Sequence, residues 1–296
     1  MHPIIDPTVE QISPDPPPWQ GRAILRQRWS ELAYFHWPYE PAAVQRLLPA
    51  GLRVDTFDGA AWVGLIPFEM RNVQFGPTPP MRRLGTFIEV NVRTYVIDAR
   101  GRRAVWFFSL DVPRSAVVAV ARSIFGLPYC WAHARHTVDG DRHHYQTQRR
   151  WPADEPARAD IRFRVTTRLD NTEIAALDNF LCARWAMVAE RRQQLSYGRV
   201  HHPQWPLHRI DGAEIDQTLI EAAGLPTPEG APHGRYSPGV DVRIAWYEKI
   251  GVSPRCRTSE RLNERSEGTV ARQEHGQIPI GFAGGSRQVG RTATPG

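Results

Sequence analysis

Lysine is nearly absent from this chain. Lys249 is the single lysine among 37 basic side chains; the rest are arginine. The shortage bears on chemistry, because a lysine amine can attack a carbonyl, hold it as an imine and leave again, which a guanidinium does not do. Lys249 stands at the edge of the ordered-looking sequence, beside a Gly- and Arg-rich stretch, and is poorly placed for a pocket. Cysteine is scarce too. Cys130, Cys182 and Cys256 are scattered, with no CxxC pair, which excludes a disulfide framework and a zinc ribbon. No apolar run reaches the ~18 residues of a membrane span. The start, MHPIIDPTVEQISPDPPPWQG, is acidic and proline-broken rather than basic and then apolar, so it does not read as a signal peptide. The expectation is a cytoplasmic protein with no membrane partner.

A concentrated positive footprint is also missing. The net charge is +6, but residues 251–296 carry seven Arg against four Glu, so half of the excess lies there. No stretch interleaves basic residues with aromatics as single-strand binders do. Nucleic acid is therefore not an expected partner.

What the chain does have is aromatic bulk and many turns: ten Trp, eight Tyr, eleven Phe, 26 Pro and 23 Gly. Residues 1–19 form a Pro- and Asp-rich arm without periodicity, and residues 251–296 hold one Phe and no Trp or Tyr. Neither buries enough apolar area to offset chain entropy, so both are expected to be disordered around one domain, 20–250. Inside it strands dominate. LRVDTF and AAWVGLIPF flank Asp58-Gly59, a turn pair suited to positive φ. TFIEVNVRTYVID with RRAVWFFSLDV reads as a second hairpin. YCWAHARHTV with RHHYQTQRR reads as a third, followed by ADIRFRVTTR and the late strand GVDVRIAWYE. PAAVQRLL reads as a short helix. RSAVVAVARSIF, apolar nearly all round, reads as a buried helix ending at Gly126. NTEIAALDNFLCARWAMVA and GAEIDQTLIEAAG have the periodicity of amphipathic helices. Hairpin-linked strands with one buried helix predict a mainly β (α+β) fold, a closed or nearly closed antiparallel barrel able to enclose one small ligand.

Several blocks carry a family resemblance: YFHWPYEPAAVQRLLPAGLRVDTFDGAAWVGLIPFEM, FIEVNVRTYV, FFSLDV, ARSIFGLPY, HPQWPLHRI and YSPGVDVRI. In this order they resemble the YqjF-like family of uncharacterised bacterial proteins over most of 28–248. That family is considered a relative of acetoacetate decarboxylase. The resemblance implies the same fold, an antiparallel barrel around a small apolar cavity. In the decarboxylase a helix arginine leads into a proline step and two lysines, the first of which forms the imine while the second lowers its pKa. The matching stretch here runs from Arg122 through Gly126-Leu127-Pro128 to Tyr129-Cys130. The arginine is kept, the lysine pair is replaced, and the acidic residue after the arginine has become Ser123. Phe87-Ile88-Glu89 resembles the Tyr-Thr-Glu strand start of the decarboxylase, which would make Glu89 an inherited carboxylate. A pocket arginine near the decarboxylase N-terminus has no secure counterpart; Arg28 or Trp29 falls nearby. A phenol forms no carbonyl imine, and a thiol adduct is no electron sink for decarboxylation. The resemblance therefore implies the cavity without the imine chemistry, and no cofactor.

The candidate site follows from these positions. Glu89 alternates with Phe87, Asn91 and Arg93 on one strand face, where it would serve as general base or ligand anchor, or equally as half of a structural pair. Arg93 or Arg122 would bind an anionic group bidentately. Tyr129 and Cys130 would donate a hydrogen bond or a thiolate, or simply pack; a reactive thiolate needs a cationic environment that the end of an apolar helix does not offer. His36 would line the cavity mouth or stand as a hydrogen-bonded structural histidine. No metal is expected: His133 and His136, and the adjacent pairs His143-His144 and His201-His202, point to opposite strand faces, and HExxH is missing. There is no GxSxG elbow, and the Gly-rich GFAGGSRQVG has no strand before it. The expected function is binding of a small anionic or carbonyl-bearing molecule, with self-association left open. The alternative is a non-catalytic interaction protein whose interior is filled by its own side chains. An open cavity of a few hundred Å3 lined by Glu89 and Arg122 would separate the two.

Overall fold

In the segment Phe87–Asp98, FIEVNVRTYVID, every residue but Ile88 is buried. A strand buried on both faces must have protein on each side of its sheet, and this double burial sets the architecture. The computed structural model describes residues 9–19, 21–81, 85–152 and 157–252. Its strands are β1 (Ala23–Tyr39), β2 (Leu52–Val54), β3 (Thr56–Phe57), β4 (Ala60–Phe75), β5 (Phe87–Asp98), β6 (Arg103–Val112), β7 (Tyr129–Asp139), β8 (Arg142–Trp151), β9 (Arg158–Arg168), β10 (Ala186–Arg191), β11 (Gln194–His201), β12 (His208–Gln217), β13 (His233–Ala245) and β14 (Glu248–Val252). Three helices interrupt them: α1 (Pro41–Gln45), α2 (Ser115–Phe125) and α3 (Ala176–Cys182).

The fold is mainly β, and the sheet closes on itself as a ring of nine strands, β6-β7-β8-β9-β12-β13-β1-β4-β5 and back to β6. Most neighbours are antiparallel, but β6 pairs in parallel with both β7 and β10. β11 joins β10 to the far end of β13. The five strands β13-β1-β4-β5-β6 are thus a shared wall, closed on one side by β7, β8, β9 and β12 and on the other by β10 and β11. Strand alternation sorts the wall's side chains. Phe35, Trp37, Val63, Leu65, Val90 and Val92 pack with Tyr145, Ile161 and Phe163 on one face. Tyr34, Phe68, Met70, Phe87 and Tyr95 pack with Phe107, Met187 and Val200 on the other. The three expected hairpins are present; Asp58 (φ 51°) and Gly59 (φ 81°) form the turn between β3 and β4.

Several local expectations need correction. α2 is not buried: only Val118 and Ala121 are, while Val120 and Ile124 are exposed. It lies over the sheet as a cover. The stretch from Asn171 to Ala189 is not one helix but a single 3-10 turn, α3, and then β10, because AMVA enters the sheet beside β6. GAEIDQ belongs to β12, followed by a 3-10 turn at Glu221–Ala223. In both segments a few residues at helical spacing were outweighed by an available sheet edge. Residues 9–19 contain no helix or strand and are tied to the domain, with the Glu10 amide donating to Gly101 O (2.8 Å) and the Trp185 indole donating to Ser13 O (3.1 Å). The expected tail at 251–296 falls, from residue 253 onward, outside the described residues.

Candidate functional site

The two faces of the wall differ in how full they are. On the face roofed by α2 and β10 lies a cavity of about 300 Å3, walled mainly by apolar side chains such as Trp29, Met70, Phe87, Phe107, Leu110 and Val117. Glu89 lies in this lining, 2% exposed. The cavity has the expected size and Glu89 lines it, but Arg122, expected beside Glu89, is outside the lining.

β5 puts Glu89 there because odd-numbered residues of this strand face α2 and even-numbered ones face the packed compartment. Tyr129 is delivered from the other side. α2 stops at Gly126, whose φ of 68° is the left-handed conformation that ends helices without a Cβ penalty. The chain then turns through Leu127-Pro128 into β7, which runs parallel to β6 from the Leu110–Tyr129 pairing. The Tyr129 hydroxyl donates to Glu89 Oε2 at 3.0 Å, and the Asn91 amide donates to Oε1 at 3.4 Å. Burial pushes the Glu89 carboxyl up to about 7, against the pull of these two donors, and the nearby Asp111 charge adds to the rise. Burial and the Glu89 carboxylate also hold the Tyr129 phenol well above its ordinary value. Glu89 can therefore give or take a proton near neutrality, at the polar end of an otherwise oily space.

The other candidates do not join it. Arg122 faces away from the cavity: its guanidinium donates to Tyr129 O at 2.7 Å and stacks 4.8 Å from the Trp151 ring. It braces the turn after α2 rather than touching the interior. The reason is helical phase: Val117, Ala121 and Phe125 line the cavity at spacings of four, and Arg122, one residue on from Ala121, is turned about 100° off that line. Cys130 is buried beside the Asp111–Arg149 ion pair, its thiol contacting Pro128 O at 3.6 Å. Burial and Asp111 push it up to about 11, so it stays protonated and is a packing residue. His36 is fully buried rather than at a mouth. The Tyr95 hydroxyl donates to Leu181 O (2.8 Å), so His36 Nε2 donates to that hydroxyl (2.7 Å). Burial keeps this imidazole neutral, with Arg93 adding to the effect.

Arg93 shares the Glu89 strand face but opens onto a different space, a chamber of about 30 Å3. Its Nη2 donates to the Tyr95 hydroxyl at 3.3 Å and to Leu181 O at 3.5 Å. Trp29, Phe107 and Met187 line both chamber and cavity and stand between them. The residues missed by sequence reasoning are mostly here, Tyr34 and Arg184, whereas Trp29 stands near where the resemblance placed a pocket arginine. Arg184 lies in a stretch with helical periodicity, which drew notice away from it. Only its long-range partner Asp55, 129 positions away, reveals its place. Among the described residues no three or more His, Cys, Asp and Glu side chains gather as metal ligands would. No helix among the described residues is long and apolar enough to cross a membrane.

Known proteins can now be set beside this geometry. Residues 26–241 match the model of DUF2071, a family described as an uncharacterized conserved protein. The uncharacterized protein YqjF of Bacillus subtilis (strain 168) is 31% identical over 222 residues, 75% of this chain and 90% of that one. Among solved structures, acetoacetate decarboxylase from Legionella pneumophila superposes with a TM-score of 0.52 at 14% identity, covering 85% of this chain and 97% of its own. The enduracididine biosynthesis enzyme MppR, complexed with pyruvate, gives 0.53 at 13% identity, covering 80% of this chain and 91% of its own. At such identities these two likenesses concern the fold alone.

Proposed function

We propose, for a chain that belongs to the DUF2071 family and carries an acetoacetate decarboxylase-like fold, that its α2-roofed cavity binds a small anionic or carbonyl-bearing molecule without forming an imine. The observation that carries this reading is one buried carboxyl, Glu89, set with Tyr129 at the polar end of a cavity of about 300 Å3. That volume suits a small metabolite rather than a macromolecular segment. A carboxyl near neutrality gives the site two states: protonated, it donates to a carbonyl oxygen; ionised, it accepts a proton from an adjacent carbon or hydroxyl. Tyr129 steadies the ionised state. Ligand choice by analogy is limited to what one fold relative holds, namely pyruvate in MppR.

The side chains themselves support the non-imine part of this reading. Lys249 is exposed on β14, which pairs with β11, and no lysine lines the cavity. The positions resembling the reactive lysine pair hold Tyr129, whose phenol cannot condense with a carbonyl, and Cys130, whose thiol stays protonated and outside the cavity lining.

Native mass spectrometry of the purified chain, with Glu89→Gln in parallel, tests the proposal. The expectation is a co-purifying mass of metabolite size that is lost or weakened in Glu89→Gln. Unchanged retention in the variant would remove Glu89 from the site. Borohydride added with acetoacetate should leave no covalent adduct, and an adduct would overturn the non-imine reading.

A further inference from the structure

The small chamber behind the Glu89 cavity has an unusual balance of hydrogen-bonding groups. Four donors of its lining side chains are buried without a partner: Arg93 Nε, Arg184 Nη2, the Tyr34 hydroxyl and Trp29 Nε1. Arg93, Arg184 and Tyr34 are 9%, 5% and 1% exposed. Buried donors without acceptors are rare and costly, more so on a cation. The charges do not balance either. Arg184 Nη1 reaches Asp55 at 2.6 Å, but that same carboxylate oxygen also holds Arg103. Arg93 has no carboxylate partner among the described residues; its contacts are the Tyr95 hydroxyl, Leu181 O and the faces of Tyr34 and Tyr95. The remaining polar lining offers no compensating negative charge. Cys182 is held protonated by burial, and His202, neutral for the same reason, donates through Nδ1 to Pro203 O at 2.7 Å.

Two guanidiniums, a phenol and an indole border about 30 Å3 of space, and each carries a buried donor without an acceptor. A guanidinium N–H and neighbouring O–H and N–H donors are what a carboxylate or halide takes as ligands, and the low dielectric strengthens each contact. The space admits an anion of a few heavy atoms and nothing larger. We infer that this chamber is a binding site for a small monoanion, a halide or a carboxylate group, held by Arg93, Arg184, Tyr34 and Trp29. The site goes beyond the Glu89 reading and does not depend on it. The anion has two sources: an independent ion, or the carboxylate end of a longer molecule whose apolar part passes the Trp29–Phe107–Met187 partition into the larger cavity.

Calorimetric titration of the full chain with bromide, formate and butyrate, at constant ionic strength in bulky gluconate, tests this. Saturable binding of bromide or formate is expected. Butyrate binding about tenfold or more tighter than formate identifies the second source, and weaker or absent butyrate binding identifies the first. Tyr34→Phe, which keeps ring and packing, should weaken formate about five-fold, the worth of one hydrogen bond. Arg93→Met should abolish binding. Should Arg93→Met fail to fold, Tyr34→Phe and the anomalous signal of bromide in a crystal decide the matter. No saturable binding of either ion, a bromide peak only outside the chamber, or equal affinity in wild type and Tyr34→Phe would overturn the inference. None of these outcomes touches retention of a ligand by Glu89, so the two proposals fail separately.

Discussion

Glu89 shows at the scale of one residue how burial sets chemistry. A carboxylate in water ionises near 4.5, but here desolvation outweighs two hydrogen bonds and holds the proton to about 7. The sign for stability follows. Below about 4.5 the group is protonated in folded and unfolded chains alike and contributes nothing. Between that value and 7 the folded protein keeps a proton that the unfolded chain has released, so stability falls as pH rises. The whole effect is on the order of 3 kcal/mol. Glu89→Gln removes the titration, so the variant should gain on wild type by roughly that amount between pH 4.5 and pH 8. Urea melts across that range check this; a constant difference between the two proteins would refute it. In Tyr129→Phe, which loses a donor to the ionised form, the Glu89 carboxyl should titrate higher still, visible by carbon NMR of the labelled carboxyl. Glu89 came from the sequence only through its resemblance to the decarboxylase strand start; which face of the strand it takes, and its burial at the cavity, come from the fold. The direction of Arg122 was not legible, since it depends on the phase of α2 relative to the sheet. Arg184 was hidden for another reason: its partner is far away in sequence.

At the scale of elements, the strands around tight turns were readable and the segments between them were not. Asp58-Gly59 dictates its hairpin locally. The residues of β10 and β12 carry periodicity that suits a helix, yet each completes a sheet edge, and tertiary pairing decided. α2 is the informative case, because an apolar sequence predicts burial but this helix is a cover with Val120 and Ile124 outside. The turn that ends it brings Tyr129 against Glu89. Gly126 secures that end twice. Its φ is positive, and a Cβ there would come within 2.7 Å of Glu190 O and of the Arg191 side chain. Gly126→Ala should therefore cost at least about 1 kcal/mol from conformation alone, and more from the clash. It should also loosen the Tyr129–Glu89 hydrogen bond and raise the Glu89 titration. Denaturation midpoints together with the same carboxyl NMR signal check both. A variant as stable as wild type would mean that the α2–β7 turn is softer than its geometry indicates.

At the scale of the whole described domain, the shared wall has two unlike sides. On one, aromatic and branched side chains fill the space inside the nine-strand ring; Phe35 meets Phe163 edge-on with ring centroids 5.5 Å apart. On the other, the shorter closure through β10 and β11, covered by α2, leaves the cavity and the chamber. The resemblance to the decarboxylase anticipated an enclosed space, but strand sequences alone did not say that the hollow lies across the wall from the larger ring. Both faces of β4 and β5 are apolar, and alternation sorts residues into faces without saying which face is full. The asymmetry predicts unequal tolerance to truncation. Phe35→Ala opens a new void among close-packed rings, and the cost should be about 3–5 kcal/mol. Phe87→Ala removes a side chain that already borders empty space, so it enlarges a cavity instead of creating one. It forfeits fewer contacts and should cost about 2 kcal/mol or less. Urea denaturation of the two variants measures the contrast directly. If Phe87→Ala proved as damaging as Phe35→Ala, the α2 side would be collapsed and filled in solution. A binding site for a small molecule would then have no room there, whatever the protonation state of Glu89.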